Sequence, residues 1–141
     1  MSQENVELAR RIYASLDQGR DILCPGLARD YFRFLPAPHR PGRSHGLEQA
    51  RAWGERERQM WEAGRVYWQP EELIDAGDKV VALIRTGGRG KASGVDVSAH
   101  VWNVWTFRDG KPVEWMYFGD DREAAFAAAG LPEQDAHHDA S

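Results

Sequence analysis

The spacing of apolar residues differs between the two halves of the chain: it predicts helices in the first half and β-strands in the second. In the first half, apolar residues recur at the spacing of helices that each bury one face. Gly19 follows the first of these runs where a C-terminal cap would lie, and Pro25 and Gly26 interrupt the second. The predicted elements of this half are helices at 3–18, 21–28 and 47–62, a strand at 31–35 and a proline-rich loop at 36–42.

The second half has the pattern of an antiparallel sheet. Runs rich in valine, isoleucine and aromatic residues are separated by short segments rich in glycine and aspartate. The pair Asp109–Gly110 is a strong hairpin signal, and 76–78 and 87–90 predict two further turns. The predicted elements of this half are strands at 66–74, 79–86, 95–108 and 112–119 and a final helix at 121–129. Helices followed by an antiparallel sheet indicate an α+β fold with helices covering one face.

The strand at 95–108 carries apolar residues on both of its faces. Trp102 and Val104 alternate with Asn103 and Trp105, so neither face is polar enough to lie in water. The helices of the first half can cover only one face. We therefore predict a homodimer in which a second copy covers the outer face. The alternative is a monomer in which the C-terminal helix lies across that face.

Composition and charge narrow the classes of partner. The chain has 141 residues, 42% of them hydrophobic, which fits one domain at 1–131 followed by a polar, disordered tail at 132–141. A formal charge of −4 disfavours nucleic acid as a partner. A single cysteine, no signal-peptide pattern and no long apolar run predict a cytoplasmic protein without a membrane span.

Four stretches of the sequence resemble SnoaL-like proteins of the nuclear-transport-factor-2-like superfamily. They are the start of the chain as far as Tyr13, the Pro-Gly-Arg-Ser-His-Gly loop at 41–46, and the segments 71–78 and 106–111. The resemblance implies a curved antiparallel sheet wrapped around helices into a cone, with dimerisation through the outer face of the sheet. The superfamily includes polyketide cyclases, ketosteroid isomerase and limonene epoxide hydrolase, together with members that lack catalysis.

The resemblance also implies candidate site residues inside the cone. Tyr13 matches the donor tyrosine of ketosteroid isomerase and Asn103 its carboxylic donor, but Leu35 stands where that enzyme has its base. Tyr117 occupies the position of a catalytic carboxylate in limonene epoxide hydrolase. Asp120 is available for proton transfer in a cyclase, or it belongs to the cap of the final helix. The candidate catalytic residues are Tyr13, Asn103, Tyr117 and Asp120, and the candidate pocket residues are Trp53, Trp61, Trp105 and Trp115.

Three classes of function remain open at this stage. The first is a pocket enzyme of cyclase, isomerase or hydratase type that moves protons on a small apolar or polyketide-like substrate. A partner-binding module like nuclear transport factor 2 itself is another, and it would expose apolar surface after dimerisation. The main alternative to the enzyme is a non-catalytic ligand-binding or dimerisation protein. An inward titratable group with a shifted pKa distinguishes them. We expect no cofactor, because the glycine run at 87–90 joins two strands, and no metal, because the histidines at 137–138 have no third ligand nearby.

Overall fold

The computed structural model describes residues 2–17, 33–35, 52, 55–56, 59–62 and 66–132. The predicted helix at 21–28, the loop at 36–42, Trp53 and the tail beyond Pro132 lie outside these residues. The helices and strands are α1 (Ser2–Asp17), β1 (Arg33–Leu35), β2 (Tyr67–Ala76), β3 (Lys79–Arg89), β4 (Asp96–Arg108), β5 (Lys111–Gly119) and α2 (Arg122–Ala128). Each of these seven elements was predicted, with ends that differ by up to three residues.

The strands form one sheet in the order β1-β5-β4-β3-β2. All neighbours are antiparallel except β1 and β5, which run parallel. The β4–β5 turn contains Asp109 and Gly110, both with positive φ (52° and 75°), as the hairpin signal predicted. An irregularity between Thr106 and Phe107 then shifts the register by one residue, which places Trp105 opposite Trp115.

The prediction of a turn at 87–90 was wrong for residues 87–89, because β3 continues through Arg89. A methyl group at Gly87 would collide with the carbonyl oxygen of Val97 and lie 2.8 Å from the Tyr67 hydroxyl. Glycine is therefore needed here because neighbouring groups approach the backbone closely, not because the chain reverses direction. The reversal follows at residues 91–93.

The predicted end of the helix at 47–62 was also wrong. Residues 52, 55, 56 and 59 are helical, but Trp61 forms a β-bridge with Gly90. The backbone N–H of Glu62 donates to the Arg89 carbonyl at 2.7 Å, and that of Lys91 donates to the Met60 carbonyl at 3.0 Å. Pairing with the end of β3 thus satisfies backbone groups that a continued helix would have bonded internally.

Helix α1 packs on the inner face of the sheet, against β2 and β3. Its apolar stripe of Val6, Ala9, Ile12 and Tyr13 is buried, as the helical spacing predicted. The Asn5 side chain donates to the Gly77 carbonyl at 3.1 Å and so ties the start of α1 to the β2–β3 turn. This contact helps to fix how far along the sheet Tyr13 lies.

Helix α2 packs on the outer face, against β4 and β5. Phe126 meets Trp102 edge to face with ring centroids 5.6 Å apart, and the Arg122 guanidinium lies 5.5 Å from the centre of each ring. Asp121 caps the helix by accepting from the Ala124 N–H at 3.0 Å. The C-terminal helix thus covers part of the face for which we predicted a second copy, as in the alternative arrangement.

Candidate functional site

The centre of the inner face holds four polar groups bonded in series. Trp115 Nε1 donates to Asn103 Oδ1 at 3.1 Å, and Asn103 Nδ2 donates to Tyr13 Oη at 2.8 Å. Trp105 Nε1 also donates to Tyr13 Oη, at 2.7 Å. The donors come from β4 and β5, and the final acceptor comes from α1. We call these four residues the Tyr13 network.

The Tyr13 network is completely buried, with no exposed surface on any of its four side chains. Apolar residues surround it, among them Val80, Ala82, Ile84 and Val101. The planes of Trp105 and Trp115 are almost parallel, 3° apart, with ring centroids separated by 5.2 Å. This stacking holds the two indole N–H groups in fixed positions relative to each other.

Burial raises the pKa of the Tyr13 hydroxyl well above its ordinary value. The hydrogen bonds from Trp105 and Asn103 lower it by a smaller amount, and the nearby Tyr117 raises it further. Tyr13 therefore keeps its proton at neutral pH. It can donate a hydrogen bond, but it cannot act as a base.

Two donors in the network have no acceptor among the described residues. The Tyr13 oxygen already accepts two N–H groups, so its own proton is directed elsewhere. The second N–H of the Asn103 amide is likewise unbonded within the described part of the chain. A buried donor without a partner costs about 1–3 kcal/mol. An acceptor outside the described residues would remove this cost.

Of the remaining candidate residues that the structure describes, Tyr117 lies next to this network. It pairs with Asn103 across β4 and β5 and packs, half-buried, against the same apolar cluster. Asp120 lies exposed beyond the end of β5, where its backbone carbonyl accepts from the Arg122 N–H at 3.0 Å. The structure does not bring the Asp120 side chain into the Tyr13 network.

Trp61 also lies apart from the network. Trp61 forms a β-bridge with Gly90, whereas Asn103 of the network pairs with Ala82. Gly90 and Ala82 are eight positions apart, which corresponds to about 26 Å along an extended strand. There Trp61 lines an open groove of about 450 Å³ together with Met60 and Val97, both of which are exposed. Trp105 and Trp115 are thus the predicted pocket residues that the structure brings together.

Comparisons with known proteins agree with this architecture. The sequence profile of the SnoaL-like domain matches residues 9–115, which is most of the chain. The chain belongs to the SnoaL-like domain family. Among curated proteins, none matches this SnoaL-like chain in sequence.

Solved structures with the same fold share little sequence with this SnoaL-like protein. A protein from Jannaschia sp. CCS1, named as a SnoaL-like polyketide cyclase, is 22% identical with a TM-score of 0.69, over 92% of this chain and 94% of that one. IdmH from Streptomyces antibioticus, named as a polyketide cyclase, is 16% identical with a TM-score of 0.69, over 87% and 95%. A protein with a ketosteroid isomerase-like fold from Catenulispora acidiphila, solved in complex with trimethylamine, is 19% identical with a TM-score of 0.65, over 89% and 94%.

In this SnoaL-like protein, two tryptophans have a polar role that their sequence pattern did not predict. Trp105 and Trp115 were predicted as pocket walls, yet their indole N–H groups are donors in the network. The available signal was their position on the same face as Asn103, a buried amide that needs partners. Within the described residues, no three His, Cys, Asp or Glu side chains lie together as metal ligands would. No helix in that part of the chain is long and apolar enough to cross a membrane.

Proposed function

We propose that this SnoaL-like protein binds a small, largely apolar carbonyl compound inside the cone, with Tyr13 and Asn103 as donors to its carbonyl oxygen. The observation that carries this proposal is the saturation of the Tyr13 oxygen by two N–H donors. The Tyr13 proton and the second Asn103 N–H remain for an acceptor that brings no proton of its own. A carbonyl oxygen is such an acceptor.

The surroundings of the network favour a neutral ligand over a charged one. Among the described residues, the buried polar or charged side chains are Asn103 and Glu114, so no lysine, arginine or histidine is buried there. An ionised carboxylate would therefore lose its hydration without gaining a counter-charge, which is strongly unfavourable. The names of the similar structures include polyketide cyclases, which supports a polyketide-like carbonyl compound as the ligand.

The same donors supply a chemical function to a bound carbonyl. When negative charge develops on the oxygen of a bound carbonyl, donors fixed in advance stabilise that charge. The raised pKa of Tyr13 keeps it in the donating form. The proposed contribution of the network is thus polarisation of the carbonyl, which an aldol-type ring closure requires. Tyr117, beside Asn103, completes the polar lining of this site.

The test is direct binding of ketones by isothermal titration calorimetry. Cyclohexanone, tetralone and fluorenone form a series of increasing size, and we expect at least one of them to bind. Tyr13→Phe, checked for folding by circular dichroism, should weaken that binding about tenfold through loss of the donor. Tyr67→Phe on the outer face is the matched control and should bind as the wild type does. Equal affinity of the Tyr13→Phe and wild-type proteins would contradict the proposal.

Complete burial favours a second candidate, a non-catalytic dimerisation module whose cone is filled by its own side chains. Tyr13 and Asn103 have no exposed surface, so a ligand that reaches them must displace the groups covering them. Ile74 on β2 and Leu83 on β3 are half-buried apolar residues of the outer face, whereas α2 packs on β4 and β5. We propose that a second copy covers this remaining surface.

Native mass spectrometry separates these possibilities. A dimer that retains a small molecule supports the pocket function, and a dimer with nothing bound supports the dimerisation module. A monomer contradicts the proposed assembly.

A further inference from the structure

We propose that Glu114 is a positioning residue that selects the strand register in which Trp105 and Trp115 share the inner face of the sheet. Its consequence for the site rests on the proposed function, because the register decides whether Trp115 reaches the Tyr13 network. The inference goes beyond that function by assigning the alignment of the site to a carboxylate on the opposite face. The register can be measured without a ligand, so the two proposals can fail separately.

The hairpin turn alone would give a different register. Beside the turn, Phe107 pairs with Pro112. Continued along the hairpin, that register would place Trp115 on the outer face, away from Trp105. The irregularity in the pairing adds one residue to β5, Val113, and brings the two tryptophans opposite each other. Since successive residues of a strand point to opposite faces, this one residue decides the face of every side chain that follows it.

The apolar pattern of β5 does not choose between the two registers. One alternating set of residues contains Trp115 and Tyr117. The other set contains Met116 and Phe118. Either set is apolar enough for the inner face, so burial alone specifies the register weakly. The charged side chain in the segment 112–119 is Glu114, and it makes the two sets unequal.

On the outer face, the Glu114 carboxylate belongs to a row of hydrogen bonds that crosses three strands. Lys79 Nζ on β3 donates to Thr106 Oγ1 at 2.8 Å, and Thr106 Oγ1 donates to Glu114 Oε1 at 3.1 Å. The three residues are direct partners in the sheet, and Glu114 is only 8% exposed. Thr106 and Glu114 form the first pair after the irregularity, so this row holds the shifted register where it begins.

In the alternative register the same carboxylate would face the inner cluster. It would lie opposite Trp105, whose partner on β3 is Val80, and neither of these residues has exposed surface. Burial of a carboxylate among apolar side chains is strongly unfavourable. A ratio of about 100 to 1 between the registers requires only about 2.8 kcal/mol. We therefore expect less than about 1% of the wild-type protein in the alternative register.

Backbone nuclear magnetic resonance measures the register directly. Thr106 lies opposite residue 114 in the observed register and opposite Val113 in the alternative, so the cross-strand nuclear Overhauser effects of its backbone protons differ. The test variant is Glu114→Met, whose unbranched side chain carries no charge. Glu114→Gln, which keeps an acceptor for the Thr106 hydroxyl, is the conservative control. The wild type and Glu114→Gln should each show one register.

Glu114→Met should show two registers. Without the carboxylate both alternating sets of β5 are apolar, and the alternative register gives up the hydrogen bond from Trp115 to Asn103. One hydrogen bond corresponds to about a tenfold ratio of populations. We therefore expect a second set of signals from roughly one molecule in ten, in which Thr106 lies opposite Val113.

Deletion of Val113 provides a second control, in which the turn alone sets the wild-type faces. Without the extra residue, Phe107 keeps its partner and residue 114 falls opposite Thr106 with no irregularity. Glu114→Met in this background should therefore show a single register. A general structural loss would be the same with and without Val113, so the comparison isolates register selection. If Glu114→Met does not fold, folding of the double variant supports the inference, and failure of both overturns it.

A bound ketone connects the register to the site. A ligand that needs the complete Tyr13 network shifts the population toward the register that provides it. Addition of the tightest-binding ketone among cyclohexanone, tetralone and fluorenone should therefore remove the second set of signals from Glu114→Met. If the ketone binds and leaves the populations unchanged, Glu114 does not position the site, and the inference fails while the proposed function stands.

The remaining outcomes are equally decisive. A single register in Glu114→Met overturns the inference, as does an equal loss of stability with and without Val113. If the registers behave as expected but the wild type binds none of the three ketones, the proposed function fails and the selection of the register by Glu114 stands.

Discussion

Replacing Tyr13 with phenylalanine removes one oxygen atom from the completely buried centre of the protein. That oxygen accepts the N–H groups of Trp105 and Asn103, so the substitution leaves two buried donors without partners. Each orphaned donor costs about 1–3 kcal/mol. The variant also removes the Tyr13 proton, which has no acceptor among the described residues, and this offsets about 1 kcal/mol. We expect a net loss of about 1–5 kcal/mol, against the roughly 5–15 kcal/mol that stabilises a domain.

The assay is urea unfolding followed by far-ultraviolet circular dichroism, because the tryptophan fluorescence of the network is itself altered by the substitution. A lower midpoint with an unchanged slope would report the stability difference directly. Tyr67→Phe is the matched control: its ring lies 5.1 Å from the Arg85 guanidinium, and phenylalanine keeps that ring. The control should change stability by no more than about 0.5 kcal/mol. A similarly small change in Tyr13→Phe would refute the reasoning. It would mean that removing the oxygen costs the two N–H groups no hydrogen-bond energy.

Three further predictions concern the same core and its two faces. Burial raises the pKa of Tyr13 above its ordinary 10.0. The stability that the protonated Tyr13 contributes is therefore complete below pH 10.0 and is lost as the pH rises further. In a titration followed by tyrosinate absorbance, one tyrosine should ionise only when the protein unfolds. Phe126→Ala removes the ring that packs on Trp102 and should cost about 3–5 kcal/mol in urea unfolding, whereas a loss below about 1 kcal/mol would mean that α2 is not anchored there. Gly87→Ala places a methyl group against the Val97 carbonyl and should lower the Tm by several degrees in a thermal melt, and an unchanged Tm would show that β3 and β4 are not so closely apposed.

The sequence predicts the strands well because their signals are local. Alternation places Asn103, Trp105 and Trp115 on one face and Trp102 and Phe118 on the other, as the two buried clusters confirm. The Asp109–Gly110 turn was predictable for the same reason, since its positive φ angles require residues of this type. These features depend on neighbours within a few positions.

Features that depend on strand register, or on the close approach of groups from neighbouring strands, could not be predicted from local signals. The glycine-rich composition around Gly87 predicts a turn, because it does not reveal that the Val97 carbonyl lies against this residue. The link from Trp115 to Asn103 depends on the pairing of β4 with β5, whose register shifts between Thr106 and Phe107. Alternation assigns a face to each residue but not the partner across the strand. The resemblance suggested Tyr13 and Asn103, but it did not suggest that the indole N–H groups of Trp105 and Trp115 donate to them.

The sequence did not determine which element packs on the outer face of the sheet. The pattern of β4 correctly indicated that both faces are apolar, and it left open a second copy or the C-terminal helix as the cover. Contacts of α2 with Trp102 show that the helix covers part of this face. The homodimer stays a prediction. It concerns the part of this face that holds Ile74 and Leu83, two apolar residues that are half-buried.

The most direct test of the central claim is the infrared carbonyl stretch of a ketone bound to the protein. Hydrogen-bond donation from Tyr13 lengthens the C=O bond, so the stretch of bound fluorenone should lie at lower frequency than in an apolar solvent. In Tyr13→Phe it should move back toward the apolar-solvent value. The same frequency in both proteins would contradict the account, because the carbonyl would then bind without the Tyr13 proton.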